Sequence, residues 1–273
     1  MAKKALNEMS FLDHLEELRW LLVRSSAAVV VMAVVSYFFA DYIFDELIFG
    51  PTDPSFVTYR FFCEASHYLG FADSICITEL NFIIQNTEME GQVNIFVWVC
   101  ITAGFILAFP YILWEFWKFI SPALYEKEKK NAKFFIFVAS ILFFLGILFG
   151  YFVIVPMSVN FLATFTISSV VKNQFSIDSY VSMVKTAVIA SGLFFELPII
   201  IYFLTKLGLV GPNFLRKYRK YAVVIVLIVA AIVTPPDVVS QITVAIPMLL
   251  IYEASIWISV FVEKNKKKDE QTS

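Results

Sequence analysis

The stretch KLGLVGPNFLRKYRKYAVVIVLIVAAIVTPPD, residues 206–237, decides how the rest of the chain reads. Lys206, Arg216, Lys217, Arg219 and Lys220 crowd its first half, an apolar run of 13 residues (221–233) follows, and Pro235-Pro236 closes it. A basic cluster set against an apolar run marks the cytoplasmic edge of a membrane span, because Lys and Arg are retained on that side. The same pattern recurs along the chain. Lys3, Lys4, Arg19 and Arg24 form a first cluster, and Lys118, Lys127, Lys129, Lys130 and Lys133 a second. Lys264, Lys266, Lys267 and Lys268 form the last. Eighteen of the 21 basic residues fall in these four clusters, with only Arg60, Lys172 and Lys185 elsewhere. If all four share one side, an even number of spans separates each cluster from the next.

A spanning helix needs roughly 20 apolar residues to cross about 30 Å of hydrocarbon. Six segments are candidates: 21–40, 94–119, 134–156, 180–207, 221–233 and 238–262. The expected fold is therefore an all-α membrane protein of six helices in one polytopic domain, 1–273, with helices five and six short, both termini cytoplasmic and a tail at 263–273. Charged residues make up only 16% of the chain, against about a quarter in soluble domains, which supports the membrane class. The outer segment 41–93 holds nine acids against Arg60 alone. No cleaved signal peptide is evident at the start. No GxxxxGK[ST] motif occurs, so nucleotide hydrolysis by this chain is not expected. Nor are a cofactor, an enzymatic activity or a nucleic-acid partner.

Two segments carry their own local expectations. In 9–20, MSFLDHLEELRW, Phe11, Leu15, Leu18 and Leu22 recur at helical spacing, so a helix starts at the inner interface and runs into the first span. Ser10 and Asp13 have the form of a capping box there. The fifth segment is short, only about 20 Å of helix, before the prolines remove its donors. A thinned bilayer and a turn sunk below the outer headgroups are both expected.

Among candidate functional residues, Glu196 is the sharpest. It sits mid-way along an apolar stretch, where a carboxylate costs about 2.5–3.5 kcal/mol on insertion scales and turns toward protein or water. Pro198 loosens the helix beside it. A bonded structural carboxylate, a proton or substrate relay, and a docking point for another transmembrane helix all remain open readings. A sunken Pro235-Pro236 turn would bring Gln241 toward the depth of Glu196, while Asp237 reads equally well as a turn residue. Glu17 and Glu128 lie at the cytoplasmic edge; singly they are solvated acids, and together they form an inner acidic patch suited to guanidinium groups. Cys63 and Cys76 share the outer segment, where an oxidising compartment would let them pair, and Cys100 reads as a packed thiol. His14 and His67 fall in different compartments with no third partner expected near either, so no metal site is expected. Gly146 and Gly150 form a small-xxx-small pair suited to close packing.

MSFLDHLEELRW at 9–20, FISPALYEKEKK at 119–130, FFELP at 194–198, TPPDVVSQ at 234–241 and AIPMLLIYE at 245–253 together resemble the TatC family. That family is the multispanning component of the twin-arginine protein translocase. The resemblance runs from about Met9 to Glu263 with the motifs in family order, and departs from it in the outer segment, which looks longer than usual. It implies a cupped six-helix bundle in the bacterial plasma membrane, assembling as a hetero-oligomer in several copies. Its partners would be single-span proteins of the TatA/TatB type and the twin-arginine signal peptides of folded cargo, with transport driven by the proton gradient. Glu17 and Arg19 match the HLxELR motif, and Glu128 the family's PALYxxE motif. Phe119, Pro122 and Tyr125 match the residues that shape the inner loop. Glu196, Gln241 and Asp237 match polar membrane positions associated with partner helices. Two other classes stay open on the residues alone, a proton-coupled transporter of a small solute and an assembly scaffold.

Overall fold

The computed structural model describes residues 11–68, 76, 80, 82–121, 132–168, 170–235 and 237–271. Ser10, Pro122, Tyr125, Glu128 and Pro236 lie outside the described residues, as do Lys3, Lys4 and three lysines of the second basic cluster, Lys127, Lys129 and Lys130. Five described helices are long and apolar enough to cross a membrane: His14–Phe38, Gly91–Ile120, Lys133–Thr164, Ile177–Lys206 and Ser240–Asn265. The chain divides into two compact units. One holds the first helix together with 96–141, and the other holds 41–95 and everything from Leu142 onward.

In the first unit α1, Phe11–Phe38, is a single helix of 28 residues, so the amphipathic start and the first span are continuous as the periodicity predicts. It packs against α3, Gly91–Ile120, at Gly104. A Cβ there would fall 2.5 Å from the Ala33 nitrogen and 2.7 Å from the Val29 oxygen, so the two backbones touch and only glycine fits. Ser36 returns its hydroxyl to the Met32 carbonyl 2.9 Å away, which removes one donor from the apolar surroundings. Pro110 sits inside α3 without ending it.

The second unit opens with a π-helical turn, Ile43–Ile48, and a 3-10 turn, Gly50–Thr52, followed by the amphipathic α2, Val57–Tyr68. Next come α4, Ala132–Phe149, entering from the first unit, a second π turn at Gly150–Ile154, and α5, Val155–Thr164. A π turn ahead of Pro156 takes up the register where that ring cannot donate. The carbonyls in these turns are met by hydroxyls from elsewhere in the unit. Thr58 donates to the Phe152 oxygen at 2.7 Å, and Tyr59 to the Pro51 and Pro156 oxygens at 2.9 and 3.2 Å. Tyr180 donates to the Ile48 oxygen at 2.7 Å. Burial raises the Tyr59 phenol well above the usual tyrosine range.

The remaining helices are α6 (Ile177–Phe195), α7 (Leu197–Lys206), α8 (Pro212–Lys217), α9 (Arg219–Val233) and α10 (Val238–Gln271). Gly146 and Gly150 pack against α6 within the chain: a Cβ at Gly146 would lie 2.6 Å from the Ser191 oxygen, and one at Gly150 2.8 Å from the Ala187 oxygen. α6 and α7 are broken at Glu196, one residue into the stretch that Pro198 loosens. Two features depart from the sequence expectation. The unit is not purely helical, since β1, Ile83–Gln85, pairs in parallel with β2, Gln174–Ser176. Phe82 and Phe175 pack beside that pair at 5.4 Å, and Ser176 then caps α6 by accepting the Ser179 N–H. The sixth helix is also not short: α10 runs 34 residues through Pro247 and on into the expected tail, because Glu, Lys and Gln there favour helix. α9 is the short one, 15 residues and about 22 Å long. α10 is fixed to its neighbours by Thr205–Ser259 and Tyr252–Leu215 hydrogen bonds at 2.9 Å, and by an Arg219–Glu253 ion pair at 2.7 Å.

Candidate functional site

Just over two turns of α1 place Glu16, Glu17, Trp20, Leu21 and Arg24 along a groove whose other wall is Glu115, Lys118 and Phe119 of α3. Its volume is about 480 Å³. At its base the Glu115 carboxylate accepts from Arg24 Nε at 2.8 Å and from Lys118 Nζ at 2.7 Å. Glu115 is 2% exposed, whereas the side chains of Arg24 and Lys118 are 49% and 53% exposed. The carboxylate is thus covered by its own counter-ions, which stay in reach of water. Lys118 also lies 5.7 Å over the Trp114 ring, and His14 stacks on Phe119 at 4.4 Å.

Three carboxylates and two cations line the groove, and both cations are engaged by Glu115. Glu16 and Glu17 have no ion pair or hydrogen bond among the described residues, so the groove, which Trp20 and Phe119 also line, carries a net negative charge. That combination suits guanidinium groups, which pair with carboxylates through a planar fork and stack on aromatic faces. Of the residues singled out from sequence, Glu17 and Phe119 meet here. Arg19 is exposed on α1 and does not line the groove. Glu115 was not legible as a site residue, although an acid three positions before Lys118 at the basic end of an apolar run is the available signal.

The membrane-facing residues fall otherwise than expected. Glu196 is 5% exposed at the α6/α7 break, and its Oε1 has no hydrogen-bond partner among the described residues. Gln241 does not join it: its amide donates to the Leu227 carbonyl at 3.1 Å, because its place on the first turn of α10 lies beside α9. Asp237 caps α10, accepting the Ser240 N–H at 2.7 Å, which is the turn-residue reading. On α2 and the segment after it, Cys63 and Cys76 form a disulfide, and His67 Nε2 lies 3.8 Å from Cys76 Sγ. Cys63, His67 and Cys76 hold their donor atoms within 4.8 Å of one another, which overturns the expectation that His67 has no third partner nearby. Cys100 is a buried free thiol, as expected.

The family model "Sec-independent protein translocase protein (TatC)" matches residues 13–247. A relative named Sec-independent protein translocase protein TatC, from Blattabacterium sp. subsp. Periplaneta americana, is 44% identical over 269 residues, covering 97% of this chain and 100% of that protein. A TatC protein from Aquifex aeolicus is 34% identical over 262 residues, covering 95% and 98%. A solved structure described as a crystal structure of the twin arginine translocase receptor TatC superposes with a TM-score of 0.71 at 33% identity, covering 92% of this chain and 99% of that one. A second, described as the same receptor in DDM, gives 0.71 at 34% identity over 90% and 99%. With the motif order and the long apolar helices pointing the same way, the chain belongs to the TatC family of protein translocase components.

Proposed function

We propose that this chain is the signal-binding, multispanning subunit of a twin-arginine translocase in a bacterial inner membrane. It crosses the bilayer six times with both termini cytoplasmic, α9 serving as the fifth span. At about 22 Å α9 falls short of a hydrocarbon core of about 30 Å, so the bilayer thins beside it. The basic clusters then all lie inside, and 41–93 lies outside. The chain works without nucleotide chemistry, drawing on the proton gradient, together with single-span partners of the TatA/TatB type.

The observation that carries this reading is the groove of α1 and α3, where Glu16 and Glu17 have no ion partner among the described residues and share the lining with Trp20 and Phe119. Two neighbouring guanidinium groups of a signal peptide fit two neighbouring carboxylates, and the resemblance to the family adds Arg19, Glu128, Pro122 and Tyr125 as further candidate contacts. Charge-assisted bonds of this kind contribute about 1.5–3 kcal/mol each. Glu17→Ala and Glu128→Ala are therefore each expected to weaken binding of a twin-arginine precursor, with Glu128→Arg worse than Glu128→Ala through repulsion. Photocrosslinkers at positions 17 and 128 are expected to capture the precursor. Undiminished precursor crosslinking in the Glu17/Glu128 double alanine variant would remove the assignment.

For Glu196 the reading is docking of a partner's single span, which would supply the donor that Oε1 lacks. Gln241, on the first turn of α10, and Asp237, just before it, would serve as further contacts of that span. A proton relay is the second reading, and the same orphaned oxygen favours it.

A further inference from the structure

We propose that Cys63, His67 and Cys76 form a redox-gated binding site for a thiophilic d10 cation such as Zn2+. Cys63 and His67 are four residues apart on α2, so both side chains leave one face of the helix. Cys76 returns from the following segment to the same point, with its Sγ 3.8 Å from His67 Nε2. All three donors lie within 4.8 Å. Zn–S bonds of about 2.3 Å and Zn–N bonds of about 2.0–2.1 Å in a tetrahedral shell place donors roughly 3.5–4 Å apart. The sulfur–nitrogen spacing is already at that distance. The two sulfurs reach it once they separate by rotation at their Cβ atoms, with the Cα atoms held 4.5 Å apart. His67 is exposed, so a cation there keeps its fourth position open to water.

In the disulfide form both sulfurs are bonded to each other and the ligand set is reduced to one imidazole. A dithiol reductant transfers two electrons and two protons, becoming a disulfide itself and leaving Cys63 and Cys76 as thiols. The cation then displaces the two thiol protons and binds two thiolates and the neutral imidazole. Oxidation excludes the cation and reduction admits it. The inference does not depend on the role proposed for the α1/α3 groove.

The test uses full-length protein in detergent with Cys100→Ala, which removes the third thiol. Co2+ is the probe, since its thiolate charge-transfer band reports sulfur ligation, and Zn2+ then competes it away. Reduced protein is expected to take up one Co2+ per chain with that band, and oxidised protein none. His67→Ala is expected to bind at least about tenfold more weakly, the scale seen even for loss of an outer-shell partner. Because His67→Ala keeps both cysteines, thiol labelling shows that its disulfide still forms and that the segment is folded. Absence of the band in the reduced protein, or unchanged Co2+ affinity in His67→Ala, would overturn the proposal.

Discussion

Lys118→Ala should tighten binding of a twin-arginine peptide, although it removes an ion pair from the site. The reason lies in which charges the groove already balances. Glu115 holds both Arg24 and Lys118, and the lining carries a net charge of about −1 beside the ligand. Removing Lys118 leaves Glu115 paired with Arg24 and deepens the negative potential by one unit. A groove of about 480 Å³ corresponds to a cube of edge about 8 Å. One charge at about 8 Å from a ligand guanidinium, at an effective dielectric constant of about 40, is worth about 1 kcal/mol, or roughly fivefold in Kd. The structural cost is small. Lys118 is half exposed and three residues from Glu115, and such pairs contribute at most about 1 kcal/mol to stability.

Glu115→Gln is the reciprocal change. It releases Arg24 and Lys118 to face the ligand and should weaken binding by a similar factor. Fluorescence anisotropy with a labelled peptide carrying paired arginines, and a paired-glutamine control, separates the two variants. The tightening should shrink at high salt, since the screening length is about 10 Å at 0.1 M. If Lys118→Ala weakens binding as much as Glu115→Gln does, while both variants stay folded, the triad acts as one rigid element and the charge-masking argument is wrong.

Two further outcomes follow from groups elsewhere. Tyr59→Phe strips the donor from the Pro51 and Pro156 carbonyls and should cost about 1–3 kcal/mol of stability, read in a thermal melt at neutral pH. Because burial raises the Tyr59 phenol, its stabilisation is whole below the ordinary tyrosine value of about 10 and is lost as pH rises above it. The Phe variant should lack that share of the alkaline loss; an identical alkaline profile would refute the buried-phenol account. At Glu196, Gln keeps hydrogen bonding but loses the ionisable proton, and Ala loses both. Docking predicts that Glu196→Gln retains partner crosslinking and transport while Glu196→Ala loses both; a transport-dead Gln variant with intact crosslinking would transfer the role to proton relay.

What could be read from the sequence was set by local physics. Apolar runs bounded by basic clusters specify helices wherever they fall, and breaks fall beside Pro198 and Pro235, whose rings lack the N–H of a continuing helix, although Pro110 and Pro247 sit inside helices that continue. Continuity of α1 followed from its period. The pairing of Ile83–Gln85 with Gln174–Ser176 did not, because three residues carry too little pattern to name a partner some ninety positions away. The same distance hid the Arg24–Glu115 contact: each residue is ordinary at the edge of its own helix, and only the crossing at Gly104 brings the helices together. The i, i+4 spacing of Cys63 and His67 does not by itself mark a ligand set, because the return of Cys76 to that face depends on the fold of the segment between them. Gln241 was placed by depth alone, and depth does not say which way a side chain turns.

Glu115 and Glu196 show why the identity of a buried acid says less than its partners do. Both are nearly inaccessible, 2% and 5% exposed. Glu115 has a cation on each oxygen, so its folded environment is complete and it can act on a ligand only by what it withholds from the groove. Glu196 sits where α6 and α7 part, and one of its oxygens is buried with no donor among the described residues. Burying a polar atom unsatisfied costs a few kcal/mol, and native chains rarely leave that cost in place without a reason. Gln241, the nearest candidate by sequence, is already committed to the Leu227 carbonyl. A polar group on a partner helix would supply the missing donor, and so would a proton on the carboxylate itself. Those are the two states that Glu196→Gln separates, because an amide supplies its own donor but carries no proton to pass on.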